Sequence, residues 1–292
     1  MIRHELNSIA AHAVSLILPG TVLSKHKTHL LPRLIRCNLS SYIFSCYSVT
    51  SISKPLLTTI RNALTMRSTD LKSTQPVVAI VGAGPAGLMA AEVLSQQGVL
   101  ADVYETMPSV GRKFLIAGKG GMNITHAEPF TDFITRYGVH RANIEPLLHA
   151  FLPDALREWV HGLGIDTFVG TSGRVFPTDM KAAPLLRAWL HRLRENGVRF
   201  HVRHRWTGWD SQRLLRFSTP NGEHLAKTDA VIFALGGASW PQLGSDGAWV
   251  PLLAQCGISI APLRPSNCGF DIAWSAHFRG HFAGEPLKSV AA

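Results

Sequence analysis

The fold class of this chain follows from one stretch, Val77-Val78-Ala79-Ile80-Val81-Gly82-Ala83-Gly84-Pro85-Ala86-Gly87-Leu88-Met89-Ala90-Ala91. An apolar strand leads into a Gly-x-Gly-x-x-Gly turn and then into an Ala- and Leu-rich helix, and in that context the glycines indicate a dinucleotide site. Gly82 permits the tight turn, Gly84 lets the backbone approach a pyrophosphate, and Gly87 lets the helix lie close to the sheet. The contact residues predicted from the turn are Gly82, Ala83, Gly84, Pro85, Ala86 and Gly87.

An acidic residue follows at the distance that this kind of site requires. A second strand is expected over residues 100–104, and it ends at Glu105. Glu105 lies roughly 20 positions after Gly82, the spacing at which a carboxylate holds a ribose hydroxyl. A carboxylate there disfavours the extra phosphate of NADP, so FAD or NAD is the expected ligand. A glycine-rich turn that binds nothing would leave the position of Glu105 unexplained.

The charge of the chain is unevenly distributed. The net charge is +10, but nine of the 29 basic residues and two of the 19 acidic residues lie in residues 1–75, so the remainder is only mildly basic. The composition therefore does not indicate a nucleic-acid-binding domain. With 292 residues and 46% hydrophobic content, the chain is long and apolar enough for one or two domains with a substantial core.

Several other classes of protein are disfavoured by the residue pattern. The four cysteines form no Cys-x-x-Cys pair and are too sparse for a disulfide framework, which favours a reducing, cytoplasmic location. No run of about 18 apolar residues is present, so we expect no membrane span. The 14 histidines show no metal-ligand spacing, so we expect no metal site. No catalytic acid or base can be named from the sequence.

The N-terminal part differs in composition from the remainder. Residues 1–65 are rich in Ser, Thr, Leu and Arg and nearly free of acids. A short polar lead-in follows Met66 and precedes the first strand, so we expect residues 1–65 to be a disordered or mistranslated extension, with an organelle transit peptide as the alternative. Residues 66–262 then form the nucleotide-binding domain.

Hydrophobic periodicity predicts an alternating α/β order after the first strand. Residues 106–129 read as a long glycine-rich loop, and apolar stripes over 147–160 and 185–193 predict core helices. Residues 199–206 read as one continuous strand, on which His201 and His204 would lie on opposite faces. The remaining expected elements are a helix at 85–97, strands at 214–218, 223–227 and 229–234, and a helix at 247–256. The strand at 229–234 is apolar throughout, as in a parallel sheet.

Four sequence blocks carry a resemblance to a known family. They are the turn at Gly82 with Glu105, the run Gly111–Thr125, the run Gly173–Pro177, and Ala234-Leu235-Gly236-Gly237 followed by Gly244-Ser245-Asp246-Gly247. Together they resemble the BaiN/YhiN-like flavoproteins, a family of NAD(P)/FAD-dependent oxidoreductases, over residues 76–292. Leu235 stands where the family commonly has Thr, so a hydroxyl contact there would be lost.

The resemblance implies a Rossmann-like α/β domain that binds FAD on a parallel sheet, with an antiparallel excursion. A second, inserted domain would begin at residues 263–292, and the chain would be truncated at its C-terminus relative to the family. NAD(P)H is the implied electron donor, and some members reduce carbon–carbon double bonds. Cations and glycine backbone suit a phosphate or a flat ring. The further cofactor contacts implied are Arg112, Lys113, Gly118, Asn123, Ala234, Gly236 and Gly237.

Two alternatives of other classes stay open at this point. The chain could be a non-catalytic nucleotide-binding fragment, because its second domain would be incomplete. It could also be a flavoprotein that acts on RNA through the face formed by Arg199, His201, Arg203 and Arg205, although a solvated strand face is the favoured interpretation. The substrate and the oligomeric state are not indicated by the sequence.

Overall fold

The computed structural model describes residues 76–117, 120–264 and 273–283, together with the backbone of Ser15–Ile17. In chain order the strands are β1 (Ser15–Ile17), β2 (Val77–Val81), β3 (Leu100–Glu105), β4 (Thr125–His126), β5 (Thr167–Val169), β6 (Arg174–Pro177), β7 (Arg199–Val202), β8 (Arg205–Trp209), β9 (Leu215–Thr219), β10 (Gly222–Ala226) and β11 (Ala230–Phe233). The helices are α1 (Pro85–Gln96), α2 (Arg112–Ala117), α3 (Phe130–Phe133), α4 (Arg141–Ala150), α5 (Pro153–His161), α6 (Ala182–Glu195), α7 (Trp249–Gln255) and α8 (Ala276–Phe282). Ile134–His140 and Pro241–Leu243 form 3₁₀ turns.

The central sheet has the strand order β1-β11-β2-β3-β7. Neighbouring strands from β11 to β7 pair in parallel, and β1 pairs antiparallel with β11. The predicted parallel sheet and Rossmann-like α/β class are therefore confirmed. Of residues 1–65, only the strand β1 belongs to the described part, so the predicted disordered or mistranslated extension otherwise lies outside the described residues.

Successive residues of β2 point to opposite sides of the central sheet. Each side packs against its own core. Val78 and Ile80 belong to the core on the side of α1 and α6, whereas Ala79 and Val81 belong to the core formed with β8, β9 and α7. All four residues of β11 are buried, as its apolar run predicts. The strands β2 and β11 are thus covered on both faces, and a ligand can reach them at their ends.

The antiparallel excursion is confirmed and consists of two sheets. One has the order β10-β9-β8 and the other the order β4-β6-β5. The predicted loop at residues 106–129 is partly wrong, because it contains α2 and the strand β4, which pairs with β6. The stripe at 147–160 is divided between α4 and α5, because Pro153 begins a new helix.

The prediction of one strand over residues 199–206 is wrong. The backbone turns at Arg203, which has a φ of 59°, so that β7 joins the parallel sheet and β8 joins the antiparallel sheet. Two hydrogen bonds fix the corner: Arg203 N–H donates to the Met107 carbonyl at 3.1 Å, and His204 N–H donates to the Glu105 carbonyl at 2.8 Å. His201 and His204 consequently lie near each other, with ring centroids 5.7 Å apart.

A buried ion pair holds α1 against α6. Glu92 of α1 is 1% exposed and lies 2.8 Å from the guanidinium of Arg192, a contact with the distance of an ion pair but without hydrogen-bond geometry. The Trp189 indole N–H and the Gln96 amide donate to the same carboxylate at 3.1 and 2.8 Å. Within the described residues, no helix is both long and apolar enough to cross a membrane.

Candidate functional site

A cleft opens where the carboxyl ends of β2, β3 and β11 meet the N-terminus of α1. This is the edge of an open parallel sheet at which ligands bind. The cleft has a volume of about 850 Å³ including its open mouth. Because this volume includes open solvent, the lining residues and not the size indicate what the cleft can bind.

The three glycines of the turn differ in the space that surrounds them. Gly82 has a φ of 105°, and a Cβ there would lie 2.2 Å from the Ala234 carbonyl oxygen. A Cβ on Gly87 would lie 1.9 Å from the Gly82 carbonyl oxygen, so this glycine lets α1 lie against the turn. A Cβ on Gly84 would meet no described atom within 4 Å, because this residue faces the open cleft. The backbone at Gly84 is therefore accessible to a ligand.

Glu105 is held at the rim of the cleft by backbone donors. Its Oε2 accepts the Ala83 N–H at 2.9 Å, and its Oε1 accepts the Met107 N–H at 2.9 Å. Burial raises the pKa of Glu105 above its usual value, although these two hydrogen bonds and the charge of Arg112 act in the opposite direction. The carboxylate therefore has a fixed orientation next to the turn and retains further lone pairs for a ligand.

The segment that leads into α2 lies against the turn. The Gly111 N–H donates to the Ala83 carbonyl at 3.0 Å. Arg112 lines the cleft and donates through Nη1 to Ser109, while its Nε is buried without a hydrogen-bond partner among the described residues. Lys113 also lines the cleft and donates to Ser239 Oγ at 2.6 Å, so it connects α2 to the loop that follows β11.

The end of β11 forms the opposite wall. Ala234 N–H donates to the Val81 carbonyl at 2.8 Å, which continues the pairing of β11 with β2 into the cleft. Gly236 has a φ of 70°, and its carbonyl accepts the Trp249 indole N–H at 3.1 Å. Leu235 lines the cleft between them and makes this wall apolar at the position where the resembled family has a hydroxyl.

Most of the predicted contact residues come together in the cleft. Its walls include Gly82, Ala83, Gly84, Pro85, Glu105, Arg112, Lys113, Ala234 and Gly236. Ala86, Gly87, Asn123 and Gly237 are not among the lining residues, and Gly118 lies outside the described residues.

Asn123 has a structural environment instead of a place in the cleft. The residue is 9% exposed, and its amide donates to the backbone carbonyls of Thr125 at 2.7 Å and Val175 at 3.0 Å. The side chain thus joins the segment before β4 to β6. The resemblance implied a contact of Asn123 with the cofactor; in the structure, the partners of its amide are backbone carbonyls of β4 and β6.

The cleft also contains residues that were not predicted as cofactor contacts. They come from the corner between β7 and β8 and from the loop before α7, and include His204, Arg205, Trp206, Ser245 and Asp246. The corner is not visible in the sequence because its left-handed residue is Arg203, where a glycine would have marked a turn. A weak signal existed before α7, where Gly244 and Gly247 flank Ser245 and Asp246.

Three of the four basic residues proposed as an RNA-binding face, Arg199, His201 and Arg205, have side-chain partners within the protein. Arg199 makes a bidentate pair with Asp102 at 2.7 and 2.6 Å, and His201 Nε2 lies 2.9 Å from the same carboxylate. Burial acts to raise the pKa of Asp102, but the hydrogen bonds from His201 and Arg199 outweigh it and lower the pKa below its usual value. Arg205 pairs with Asp246 at 2.9 Å. These contacts give the charges a structural role in the sheet.

The residues present fit the dinucleotide that the motif implies. The open space at Gly84 adjoins the N-terminus of α1, where backbone N–H groups attract phosphate. The unpaired Nε of Arg112 adds a cationic donor at the cleft, and Glu105 supplies an acceptor for ribose hydroxyls. Across the described ranges, no three or more His, Cys, Asp or Glu side chains are grouped so as to hold a metal ion.

Comparison with known proteins agrees with this geometry. The model of the HI0933-like protein Rossmann domain matches residues 76–276. The chain belongs to this family. The match confirms the resemblance to the BaiN/YhiN-like flavoproteins and the Rossmann-like fold.

One curated relative is the 3-dehydro-bile acid delta(4,6)-reductase of Clostridium scindens, which is 26% identical over 191 residues. The alignment covers 65% of this chain and 46% of the relative, so the chain spans less than half of the relative's length. Two solved structures are similar at lower levels. THI4 of Thermovibrio ammonificans has 17% identity and a TM-score of 0.41, with 71% of this chain and 70% of that chain covered. The open conformation of a flavocytochrome c3 fumarate reductase has 16% identity and a TM-score of 0.43, with 64% and 39% covered. The family match and the strand order remain the evidence for the fold.

Proposed function

We propose that this chain is the nucleotide-binding part of an FAD-dependent oxidoreductase. The observation that carries the proposal is the Glu105 carboxylate, which is held by the Ala83 N–H at 2.9 Å beside the open space at Gly84. This pairing would bring a ribose acceptor and a phosphate-binding turn side by side, as a dinucleotide requires. Membership of a flavoprotein family supports FAD over NAD as the resident cofactor.

The residues of this chain would bind and orient the cofactor. Glu105 would accept hydrogen bonds from the ribose, the backbone at Gly84 and the N-terminus of α1 would hold the pyrophosphate, and Arg112 would offset its charge. When bound, FAD supplies hydride transfer, and the protein contributes position and electrostatics. The apolar wall at Leu235 and Trp249 would keep water from this side of the cleft.

We further propose NAD(P)H as the electron donor and a carbon–carbon double bond as the acceptor. The Clostridium scindens relative, a 3-dehydro-bile acid delta(4,6)-reductase, supports the double bond as acceptor. This chain has a single Gly-x-Gly-x-x-Gly turn, and we assign it to FAD. The nicotinamide would therefore bind without a second turn of this kind in this chain.

The first test is direct. The purified chain is examined for a visible flavin spectrum, the released cofactor is identified, and FAD is titrated into cofactor-free protein. We expect FAD to bind with one molecule per chain. A folded chain that does not bind FAD would contradict the proposal.

A second measurement separates the enzyme from the non-catalytic fragment. Oxidation of NADH and NADPH by the FAD-loaded chain is followed with and without an unsaturated ketone as acceptor. Flavin reduction by either nucleotide supports the oxidoreductase. Tight FAD binding without reduction by either nucleotide favours the nucleotide-binding fragment.

A further inference from the structure

Two histidines lie four residues apart on the short helix α8. Ser275 begins this helix, because its hydroxyl accepts the Phe278 N–H at 3.1 Å. Residues four apart are neighbours on one face of a helix. The rings of His277 and His281 accordingly lie against each other, with centroids 4.2 Å apart and planes inclined by 32°. Both residues are exposed, so an ion can reach them from solvent.

The hydrogen bond of His281 leaves one ring nitrogen free to coordinate a metal ion. Its Nδ1 lies 2.9 Å from the backbone carbonyl of His277. A carbonyl oxygen can only accept, so Nδ1 carries the proton, and the lone pair of the neutral ring is on Nε2. Histidines that bind metals are generally oriented in this way, by donation from the other ring nitrogen to a carbonyl or carboxylate. The ring of His277 has no hydrogen bond within the described residues, so it can turn towards the same ion.

The separation of the two rings suits an ion that prefers imidazole. Each Zn–N bond is about 2.0–2.1 Å long, so two nitrogens on a tetrahedral Zn²⁺ lie about 3.3 Å apart. Rings with centroids 4.2 Å apart can reach that nitrogen separation by rotating about their side-chain bonds. Imidazole suits Zn²⁺, Ni²⁺ and Cu²⁺, whereas Mg²⁺ and Ca²⁺ prefer oxygen ligands.

The charges around the pair permit a cation. Residues 273–283 contain no Asp or Glu that would compete for the imidazoles. Arg279 is two residues from each histidine, and this spacing places it away from their face of the helix. In the part of the chain that the structure describes, no third His, Cys, Asp or Glu side chain is grouped with the pair to hold a metal ion. Water would therefore complete the coordination.

We propose that His277 and His281 form a chelating site for a divalent transition-metal ion, Zn²⁺ or Cu²⁺. Neither residue lines the cleft, so the assignment does not depend on the proposed function. The pair was not recognised as metal-ligand spacing in the sequence, because no helix was predicted over residues 276–282. A spacing of four puts two histidines on one face only when the segment is helical.

The test titrates Zn²⁺, Cu²⁺ and Mg²⁺ into the metal-free full chain, without a histidine tag, and into His277→Asn and His281→Asn. Because the second imidazole of a chelate binds intramolecularly, each variant should bind Zn²⁺ and Cu²⁺ more weakly, by roughly tenfold or more. Cu²⁺ should bind more tightly than Zn²⁺, and Mg²⁺ should show no binding that the variants remove. The electron paramagnetic resonance spectrum of bound Cu²⁺ should show two coordinating nitrogens in the unchanged chain and one in either variant.

Two further variants are matched controls. His191→Asn removes an exposed histidine of α6 whose neighbour on the helix is the carboxylate of Glu195, at 3.7 Å, and it should leave the metal affinity unchanged. His277→Asn combined with Arg279→His retains two histidines on α8, but two residues apart, so that they point to different sides. This double variant should bind Zn²⁺ and Cu²⁺ as weakly as His277→Asn.

Equal affinities in the unchanged chain and both single variants would overturn the assignment, because the ion would then bind at other residues or not at all. Restored affinity in the double variant would also overturn it, since any two exposed histidines would then be enough. The metal-free variants should unfold at the urea concentration of the unchanged chain, because both side chains are exposed. A loss of metal affinity in these variants is then not a loss of folding.

Discussion

A single methyl group added at Gly82 or at Gly84 should have opposite effects on stability and on binding. At Gly82 the methyl would lie 2.2 Å from the Ala234 carbonyl oxygen, and the residue has a φ of 105°. At Gly84 it would meet no described atom within 4 Å, and the φ of −77° suits any residue. Gly82→Ala therefore tests the packing of the turn, and Gly84→Ala tests the surface that it offers to a ligand.

The magnitudes follow from these distances. For Gly82→Ala, the rare φ costs about 1–3 kcal/mol. Moving the end of β11 away from the methyl adds about 1–3 kcal/mol, the typical cost of overpacking. The free energy of unfolding should thus fall by about 2–6 kcal/mol. Gly84→Ala restricts the unfolded chain and should stabilise the cofactor-free protein by about 0.4–1 kcal/mol.

The affinity for FAD should fall in Gly84→Ala, although this variant is the more stable of the two. In Gly84→Ala the methyl would lie where we expect the pyrophosphate to approach the backbone N–H groups of α1. Losing one charge-assisted hydrogen bond costs about 1.5–3 kcal/mol, so the Kd for FAD should rise roughly tenfold or more.

Urea unfolding followed by tryptophan fluorescence measures stability, and titration with FAD measures affinity. If Gly84→Ala bound FAD as tightly as the unchanged chain, the phosphate would not approach at Gly84. If Gly82→Ala were as stable as the unchanged chain, the close contact between the turn and β11 would be refuted.

Three further predictions concern carboxylates. The FAD affinity of the unchanged chain should fall as the pH decreases through the raised pKa of Glu105. The affinity of Glu105→Gln should be weaker by roughly tenfold and should not depend on pH in this range. FAD titrations at several pH values check both expectations. Asp102→Asn should lower the free energy of unfolding by about 1 kcal/mol at pH 7. The value is modest because the side chain of Arg199, the partner of Asp102, is 58% exposed. Folding lowers the pKa of Asp102. The contribution of this carboxylate to the free energy of unfolding is therefore complete above its usual pKa of 3.8 and is lost as the pH falls through the lowered pKa. The urea unfolding curves of the variant and the unchanged chain should consequently converge in acid. Glu92→Gln should lower the free energy of unfolding by about 3 kcal/mol, because it leaves the charge of Arg192 without its partner; a loss below about 1 kcal/mol would refute this role.

The part of the site formed by neighbouring residues in the sequence was predictable. Gly82, Gly84 and Glu105 belong to one strand–helix–strand unit, whose element lengths fix the spacing between the turn and the end of the next strand. The apolar run of β11 identified a buried parallel strand by composition alone. The positions of these residues depend on local geometry, so a pattern in the sequence is sufficient to find them.

The other wall of the cleft depends on contacts that no local pattern records. The turn at Arg203 has a left-handed backbone without a glycine, so the stretch read as one strand. Ser245 was not predicted as a contact residue, because its burial depends on pairing with Trp240 and on Gly244 lying against Met107. α2 was missed because glycines on both sides of its six residues suggested a loop.

Glu105 links the predictable wall to the unpredictable one. Its carboxylate accepts the N–H of Ala83 in the turn, while its backbone carbonyl accepts the N–H of His204 at the corner between β7 and β8. A shift of the corner is therefore transmitted to the residue that we expect to hold the ribose. Because the carbonyl contact uses only backbone atoms, many side chains could form the corner, whereas the carboxylate contact requires an acid at this position. This difference explains why the sequence reveals Glu105 and conceals its neighbours in the cleft.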